Sequence, residues 1–272
     1  MSIKKSLLIV GLRSKIAQDI NNFLYKKYKI KFLSFNKVKK LSYKELSSFN
    51  CIVNCSFNKN CFEKKCNSDI KICDKLKKNL FNTKYIMLSS GKVYGINKKN
   101  SEDLKCIPKS KYGKYRLNTE KYLQKRLKEN LLILRISNVL NFDIRLNSAS
   151  KTVINTMLID LLTKKKITIP KKKNFKDFIT LNYLISCIDK LIEKDLKGIF
   201  NISSHIKISL NDVAKRLIKG FGMGKINLIN EITENFSITN DLITNAVGIK
   251  LTRKKILVEV EKIGIKLKSQ NI

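Results

Sequence analysis

Short apolar runs alternate with amphipathic stretches through the first half of the chain. Leu7-Leu8-Ile9-Val10 is an unbroken apolar run closed by Gly11, the mark of a strand buried on both faces. Residues 15 to 27 follow with Ile16, Ile20, Phe23 and Leu24 at helical spacing. Ile30 to Phe35 predicts a second strand, Leu41 to Phe49 a short helix, and Cys51 to Cys55 another buried strand. A lysine-rich helix is expected over about residues 66 to 81, then a strand over Lys84 to Ser89. Lys111 to Glu129 reads as a helix and Leu131 to Ile136 as a strand. Strands alternating with helices over 136 residues predict an α/β fold, a doubly wound parallel sheet with helices on both faces. Beyond Asn141 the pattern loosens. It predicts strands at 167–169, 176–180 and 198–202, with helices at 150–164, 181–194 and 209–220.

Composition narrows the classes of function. No apolar run approaches the ~18 residues that a membrane helix needs, and Met1 to Lys5 leads into too few apolar residues for a signal segment. A cytoplasmic protein without a membrane span is expected. The 57 Lys and Arg against 21 Asp and Glu give a net charge of +36. Lysines occur in nearly every segment and their longest runs, Lys164 to Lys166 and Lys171 to Lys173, are short. Without a zinc finger, helix-turn-helix or aromatic RNA-binding signature, this charge reads as solvated faces, with no nucleic acid as the main partner. A positive field still attracts anionic ligands. Seven cysteines include no C-x-x-C pair, and His205 is the only histidine, so no metal site is expected. Their odd number argues against a disulfide framework.

In a doubly wound sheet, ligands sit beyond the carboxyl ends of the strands. The first strand ends in Gly11-Leu12-Arg13-Ser14-Lys15-Ile16-Ala17, a G-x-x-S-x-x-A turn directly before a helix N-terminus. Backbone N–H groups in such a turn can approach a pyrophosphate, though a plain strand-to-helix turn gives the same pattern. Ser14 stands where a glycine would be ideal. The second strand is expected to end at Phe35-Asn36-Lys37, without the acidic residue that would hold a ribose 2′-hydroxyl and repel a 2′-phosphate. With Arg13 and Lys37 as cations, NADP(H) is favoured, and NAD(H) remains open.

The strand over Lys84 to Ser89 runs into "SSGKVYG", and the next helix begins "SKYGKYRLNTEKYL". Tyr112 and Arg116 are i and i+4 and share a helix face. A strand-end serine, a tyrosine and a neighbouring cation make a proton-transfer unit, in which the cation favours the phenolate.

These pieces, with "CIVNCS", "LRISNVL", "FKDFITLNYLISCIDKL" and "GIFNISSHIKISLNDVAKRL", occur in an order that resembles the extended short-chain dehydrogenase/reductases of the NAD-dependent epimerase/dehydratase family. The resemblance spans nearly the whole chain. It implies a Rossmann domain over residues 1–141. A smaller substrate-binding lobe would cover 142–272, with segments returning to the sheet. "CIVNCS" takes the family's fourth-strand position. By the resemblance, Ser90 (three residues before Val93), Tyr112 and Arg116 are catalytic. Gly11, Arg13, Ser14, Ile16, Asn36, Lys37 and Cys55, together with Tyr112 and Arg116, would hold the cofactor. Tyr94, Asn138 and Lys176 would meet a nucleotide-sugar substrate. Ser89 would be a structural neighbour, and Tyr94-x-x-x-Lys98 a fortuitous match to the family's Tyr-x-x-x-Lys.

The family's lysine is Arg116 here, so activity could be kept, slowed or lost. Restoring lysine should keep or raise the rate. The short chain and the Asn36-Lys37 pair favour an NADP(H)-dependent reductase of a nucleotide-linked 4-keto sugar in cell-surface polysaccharide biosynthesis. The alternatives are an NAD-dependent epimerase or dehydratase, and a cofactor-binding relative with weakened catalysis. The resemblance also leaves a homodimer open.

Overall fold

The computed structural model describes residues 4–58, 62–76, 83–95, 100–142, 152–231 and 235–270. The chain forms two compact units. The first comprises Met1–Asn97, Glu102–Ile136 and Ile185–Asn201, and the second Lys98–Ser101, Ser137–Leu184 and Ile202–Ile272. The first unit therefore closes at Ile136, short of Asn141, and takes residues 185–201 back from the second half.

In chain order the first unit contains β1 (Ser6–Val10), α1 (Lys15–Leu24), β2 (Lys29–Leu33), α2 (Phe35–Val38), α3 (Tyr43–Ser47), β3 (Cys51–Asn54), α4 (Ser68–Leu76), β4 (Lys84–Ser90), α5 (Lys111–Leu127) and β5 (Leu131–Ile136). There follow β6 (Asn138–Leu140), α6 (Val153–Lys164), β7 (Lys166–Pro170), β8 (Phe175–Thr180), α7 (Leu181–Glu193) and β9 (Gly198–Ile202). The chain ends with β10 (Lys207–Ser209), α8 (Leu210–Phe221), β11 (Lys225–Ile229), α9 (Asp241–Val247) and α10 (Arg253–Ser269).

Six strands make one sheet in the order β2-β1-β3-β4-β5-β9. The pairings of β1 with β2 and β3, of β3 with β4, and of β4 with β5 are parallel. This is the α/β doubly wound arrangement, and its strand order reverses between β1 and β3. Period-two alternation explains the packing. Leu8, Val10, Ile52, Tyr85 and Met87 face one layer, where Ile70, Ile72, Cys73 and Leu76 of α4 and Leu123 and Leu127 of α5 cover them. The segment counted as the family's fourth strand is the third formed here, because residues 35–47 wind into α2 and α3.

The second unit holds a three-stranded sheet, β10-β8-β6, and a parallel pair, β11-β7. Its core gathers Leu158 and Leu161 of α6, Phe178 of β8, Leu217 of α8 and Val260 of α10. The strand and helix expectations at 167–169, 176–180, 181–194 and 209–220 correspond to β7, β8, α7 and α8, whereas α9 and α10 had no counterpart in the sequence reading. Among the described residues, no helix is long and apolar enough to cross a membrane.

Candidate active site

Gly11 ends β1 with φ +119°, a conformation that side-chain-bearing residues rarely adopt. A Cβ there would stand 3.1 Å from both the Cys55 carbonyl carbon and the Ser56 nitrogen. The turn therefore lies hard against the loop that follows β3, at the point where strand order reverses. Ser14 is the N-cap of α1: its Oγ accepts from the Ala17 N–H at 3.4 Å, which leaves the hydroxyl proton able to donate. Ile16 is half-buried in the first turn of α1, and Arg13 is exposed on the turn before it. The backbone cradle and the helix N-terminus fit a dinucleotide phosphate.

At the end of β2 the register differs from expectation. The strand stops at Leu33, because Ser34 caps α2 and accepts from the Lys37 N–H at 3.3 Å. Ser34, not Phe35 or Asn36, thus stands directly beyond the strand, and Asn36 and Lys37 are exposed on the short helix that follows. Ser34 was not among the residues expected at the cofactor. Its signal was a serine directly after an apolar run, the residue type that caps a helix start.

Ser90 is the last residue of β4 and caps a 3-10 turn over Gly91–Val93, accepting from the Lys92 N–H at 3.3 Å. Helix α5, capped by Ser110, approaches this turn closely. A Cβ on Gly113 would lie 2.4 Å from the Lys92 carbonyl oxygen. Tyr112 is half-buried beside that contact, with its ring edge-on to Phe57 at 5.5 Å between centroids. Arg116 donates through Nε to the Tyr112 hydroxyl at 3.3 Å. The shared helix face thus brings the phenol and the guanidinium together.

Arg116 is only 7% exposed, and its Nη1 donates to Asp69 at 3.1 Å. Its Cζ lies 4.8 Å from the centroid of the Phe57 ring. Burial acts against the guanidinium charge, yet Tyr112 and Asp69 outweigh it and hold the group's pKa above its ordinary value. Asp69 itself accepts from Asn54 Nδ2 and from the Tyr85 hydroxyl, each at 2.8 Å. Neither Asp69 nor Phe57 was singled out from the sequence, since nothing local distinguishes an aspartate in a lysine-rich helix as a buried anchor.

Ser89 points the other way from Ser90 and donates to the buried Glu120. Glu120 is held by Arg135, which also donates to the Tyr94 hydroxyl at 2.9 Å. Tyr94 in turn donates to Asn201 Oδ1 at 2.8 Å. Its side chain is fully buried, and burial pushes the phenol up to about 12 against the opposing effect of Arg135. Tyr94, expected at the sugar, has its ring inside the fold, held by Arg135 and Asn201. Lys98 lies outside the described residues.

Asn138 and Lys176 belong to the second unit. Asn138 opens β6 and donates through Nδ2 to the Asp177 carbonyl at 2.8 Å. Lys176 is half-buried on β8, in register with Ile208 of β10. Among the first unit's thiols, Cys51 is buried, which drives it up to about 12, and Cys55 is half-buried and pushed up further by its surroundings. Cys51, Cys55, Cys73, Cys106 and Cys187 are reduced thiols. Among the described residues, no group of three or more His, Cys, Asp and Glu could hold a metal ion.

No family model and no curated protein matches the chain. Solved structures do. A UDP-N-acetylglucosamine 4-epimerase from Methanobrevibacter ruminantium M1, in complex with UDP-N-acetylmuramic acid, superposes with a TM-score of 0.83 at 17% identity, covering 99% of this chain and 100% of that one. A dTDP-glucose 4,6-dehydratase from Bacillus anthracis in complex with NAD gives 0.78 at 16% identity, covering 98% and 100%. RMD from Pseudomonas aeruginosa, complexed with NADPH, gives 0.76 at 15% identity, covering 98% of each chain. With a parallel sheet that reverses its strand order at Gly11 and a tyrosine–arginine pair on the helix after β4, the chain has the Rossmann fold of the nucleotide-sugar epimerases and dehydratases.

Proposed function

We propose that the protein is an NADP(H)-dependent reductase of a nucleotide-linked 4-keto sugar, of the dTDP-4-dehydrorhamnose reductase type, acting in polysaccharide biosynthesis. The observation that carries this reading is the 3.3 Å hydrogen bond from Arg116 Nε to the Tyr112 hydroxyl. A fixed cation at a phenol favours the phenolate and so eases proton transfer through it. Tyr112 delivers the proton to the substrate oxygen, and the Ser90 hydroxyl polarises that oxygen by hydrogen bonding. A nicotinamide held there would supply the hydride. The Gly11 turn and the α1 N-terminus would hold the dinucleotide phosphates, while Ser34, Lys37 and Arg13 would accommodate a 2′-phosphate. Asn138 and Lys176 are assigned to the substrate, Lys176 to its diphosphate.

The test is single-turnover oxidation of NADPH with a panel of nucleotide-linked 4-keto sugars. Tyr112→Phe should lose about a hundredfold or more in rate with NADPH affinity unchanged, the range of a lost general acid. Equal activity of Tyr112→Phe and the parent would remove the reading. A second reading, a dinucleotide-binding protein with little hydride transfer, is favoured by the commitment of Arg116 to Asp69. It predicts NADPH binding without turnover on any member of the panel. An epimerase, the third option, would retain NAD through purification and interconvert sugars without net oxidation of added NADPH.

A further inference from the structure

Arginine at position 116 reaches two partners at once. Nε meets the Tyr112 hydroxyl at 3.3 Å, while Nη1 meets Asp69 Oδ2 at 3.1 Å, so two different edges of one planar group are fixed. The carboxylate is itself held from two strands, by Asn54 at the end of β3 and by Tyr85 on β4. Its helix and the residue just before that helix are each tied to α5. Asn67 Nδ2 donates to Thr119 Oγ1 at 2.7 Å, and the Tyr122 hydroxyl donates to Asp74 at 2.7 Å. Phe57 lies against the guanidinium on the aromatic side. Asp69 is 3% exposed and Arg116 7%, so the pair is shielded from the solvent screening that weakens surface ion pairs.

We infer that Asp69 is a positioning residue for the proposed reaction: it clamps the Arg116 guanidinium so that Nε stays on the Tyr112 oxygen, and it makes Arg116 an internal part of the proton-transfer unit instead of a clasp on the cofactor. The inference rests on the proposed role of Tyr112. Two consequences separate it from a simple exchange of arginine for lysine. Cofactor affinity becomes insensitive to position 116. In addition, Arg116→Lys lowers the rate, because one ammonium cannot present separate edges to the phenol and the carboxylate, and the buried Asp69 draws it away from Tyr112. The expectation from the family pattern, that lysine would keep or raise the rate, is thereby reversed.

The test has two arms on the full-length protein. In the first, the Arg116 Nε–H resonance is assigned by its disappearance in Arg116→Lys, and its solvent exchange is measured. Asp69→Asn should speed that exchange by about tenfold or more, as expected when a protecting contact is lost. Unchanged exchange in a folded Asp69→Asn protein would overturn the clamp. In the second arm, Asp69→Asn should lower kcat by about tenfold and leave the NADPH Kd within about twofold. In an Arg116→Lys background the same substitution should cost nothing further, because it removes the charge that draws the ammonium away from Tyr112. Equal losses in both backgrounds would show that Asp69 works independently of Arg116 and would also overturn the inference. If Asp69→Asn fails to fold, Asp69→Glu keeps the charge and displaces the clamp, and both readouts apply to it with the same expected directions. A parent protein that turns over no sugar would remove the proposed reaction, while the exchange arm would still decide whether the clamp exists.

Discussion

Arg135 on β5 grips Glu120 on α5, with Nη2 at 2.8 Å and Nε at 3.2 Å from one carboxylate oxygen. The other oxygen receives Ser89, and the remaining arm of Arg135 reaches Tyr94. The two ends of the Ser89–Tyr94 loop are therefore anchored to one buried ion pair, and Ser90 is left as the hydroxyl facing away from it. Removing one partner strands a charge where water cannot reach it. Glu120→Ala should cost about 3–5 kcal/mol of unfolding free energy, the range for a broken buried pair. Urea unfolding of parent and variant measures this, and a loss under about 1 kcal/mol would mean that Arg135 finds water or another partner.

The approach of α5 to the Ser90 turn depends on a missing side chain. At Gly113 an added Cβ would meet the Lys92 carbonyl oxygen at 2.4 Å and the Pro108 Cβ at 2.9 Å. Gly113→Ala gains some helix propensity, about 1 kcal/mol, but the clash must push α5 away from the turn. Tyr112 then moves relative to Ser90, and misplacement of about 1 Å can cost about a hundredfold in rate. The variant should lose turnover far more than NADPH affinity. Retention of full kcat would show that the loop yields without disturbing the pair.

Cofactor choice tests the end of β2. Ser34, Asn36 and Lys37 put no carboxylate where it would repel a 2′-phosphate, and Arg13 and Lys37 add positive charge. NADPH should bind more tightly than NADH, and Arg13→Ala with Lys37→Ala should narrow the ratio. Because Ser34 stands next to the strand end, Ser34→Asp should invert the preference. Fluorescence titration with both cofactors measures each ratio, and a parent that prefers NADH refutes the assignment.

The difference between Tyr112 and Tyr94 shows what was legible in the sequence. Tyr112 was readable because its partner is four residues away on the same helix, a relation that helical geometry fixes. The surroundings of Tyr94 were not readable, because they depend on Arg135 and Asn201, 41 and 107 residues away in sequence. Strands β1, β3, β4 and β5 were legible as apolar runs because burial on both faces leaves room for few polar positions. Helix α10 escaped notice because its apolar positions include exposed Val258 and Ile265, which blur the 3.6-residue period. Asp69 was invisible for the same reason as Tyr94: its partners sit on β3, β4 and α5, and no local pattern announces them.

Asp177, the acidic residue of "FKDFIT", makes stability depend on pH in an uncommon direction. Its carboxylate is fully buried and accepts from the Ser204 N–H at 3.1 Å, the Ser204 hydroxyl at 2.8 Å and the His205 N–H at 3.1 Å. Burial nevertheless dominates these bonds and raises its pKa from 3.8 to about 6. Between those values the folded chain holds the proton that the unfolded chain has released. The stabilisation it contributes is thus fully present below about pH 4, falls as pH rises through about 6, and is constant above. At 1.36 kcal/mol per pKa unit this is on the order of 3 kcal/mol lost across the window. Asp177→Asn cannot titrate, and its amide nitrogen would confront one of the backbone N–H groups, so it should be less stable than the parent under acidic conditions. The gap between them should shrink as pH rises from 4 to 7. Urea unfolding of both proteins at several pH values within that range checks the sign. A gap that widens with rising pH would mean that the hydrogen bonds outweigh burial and that Asp177 is held charged.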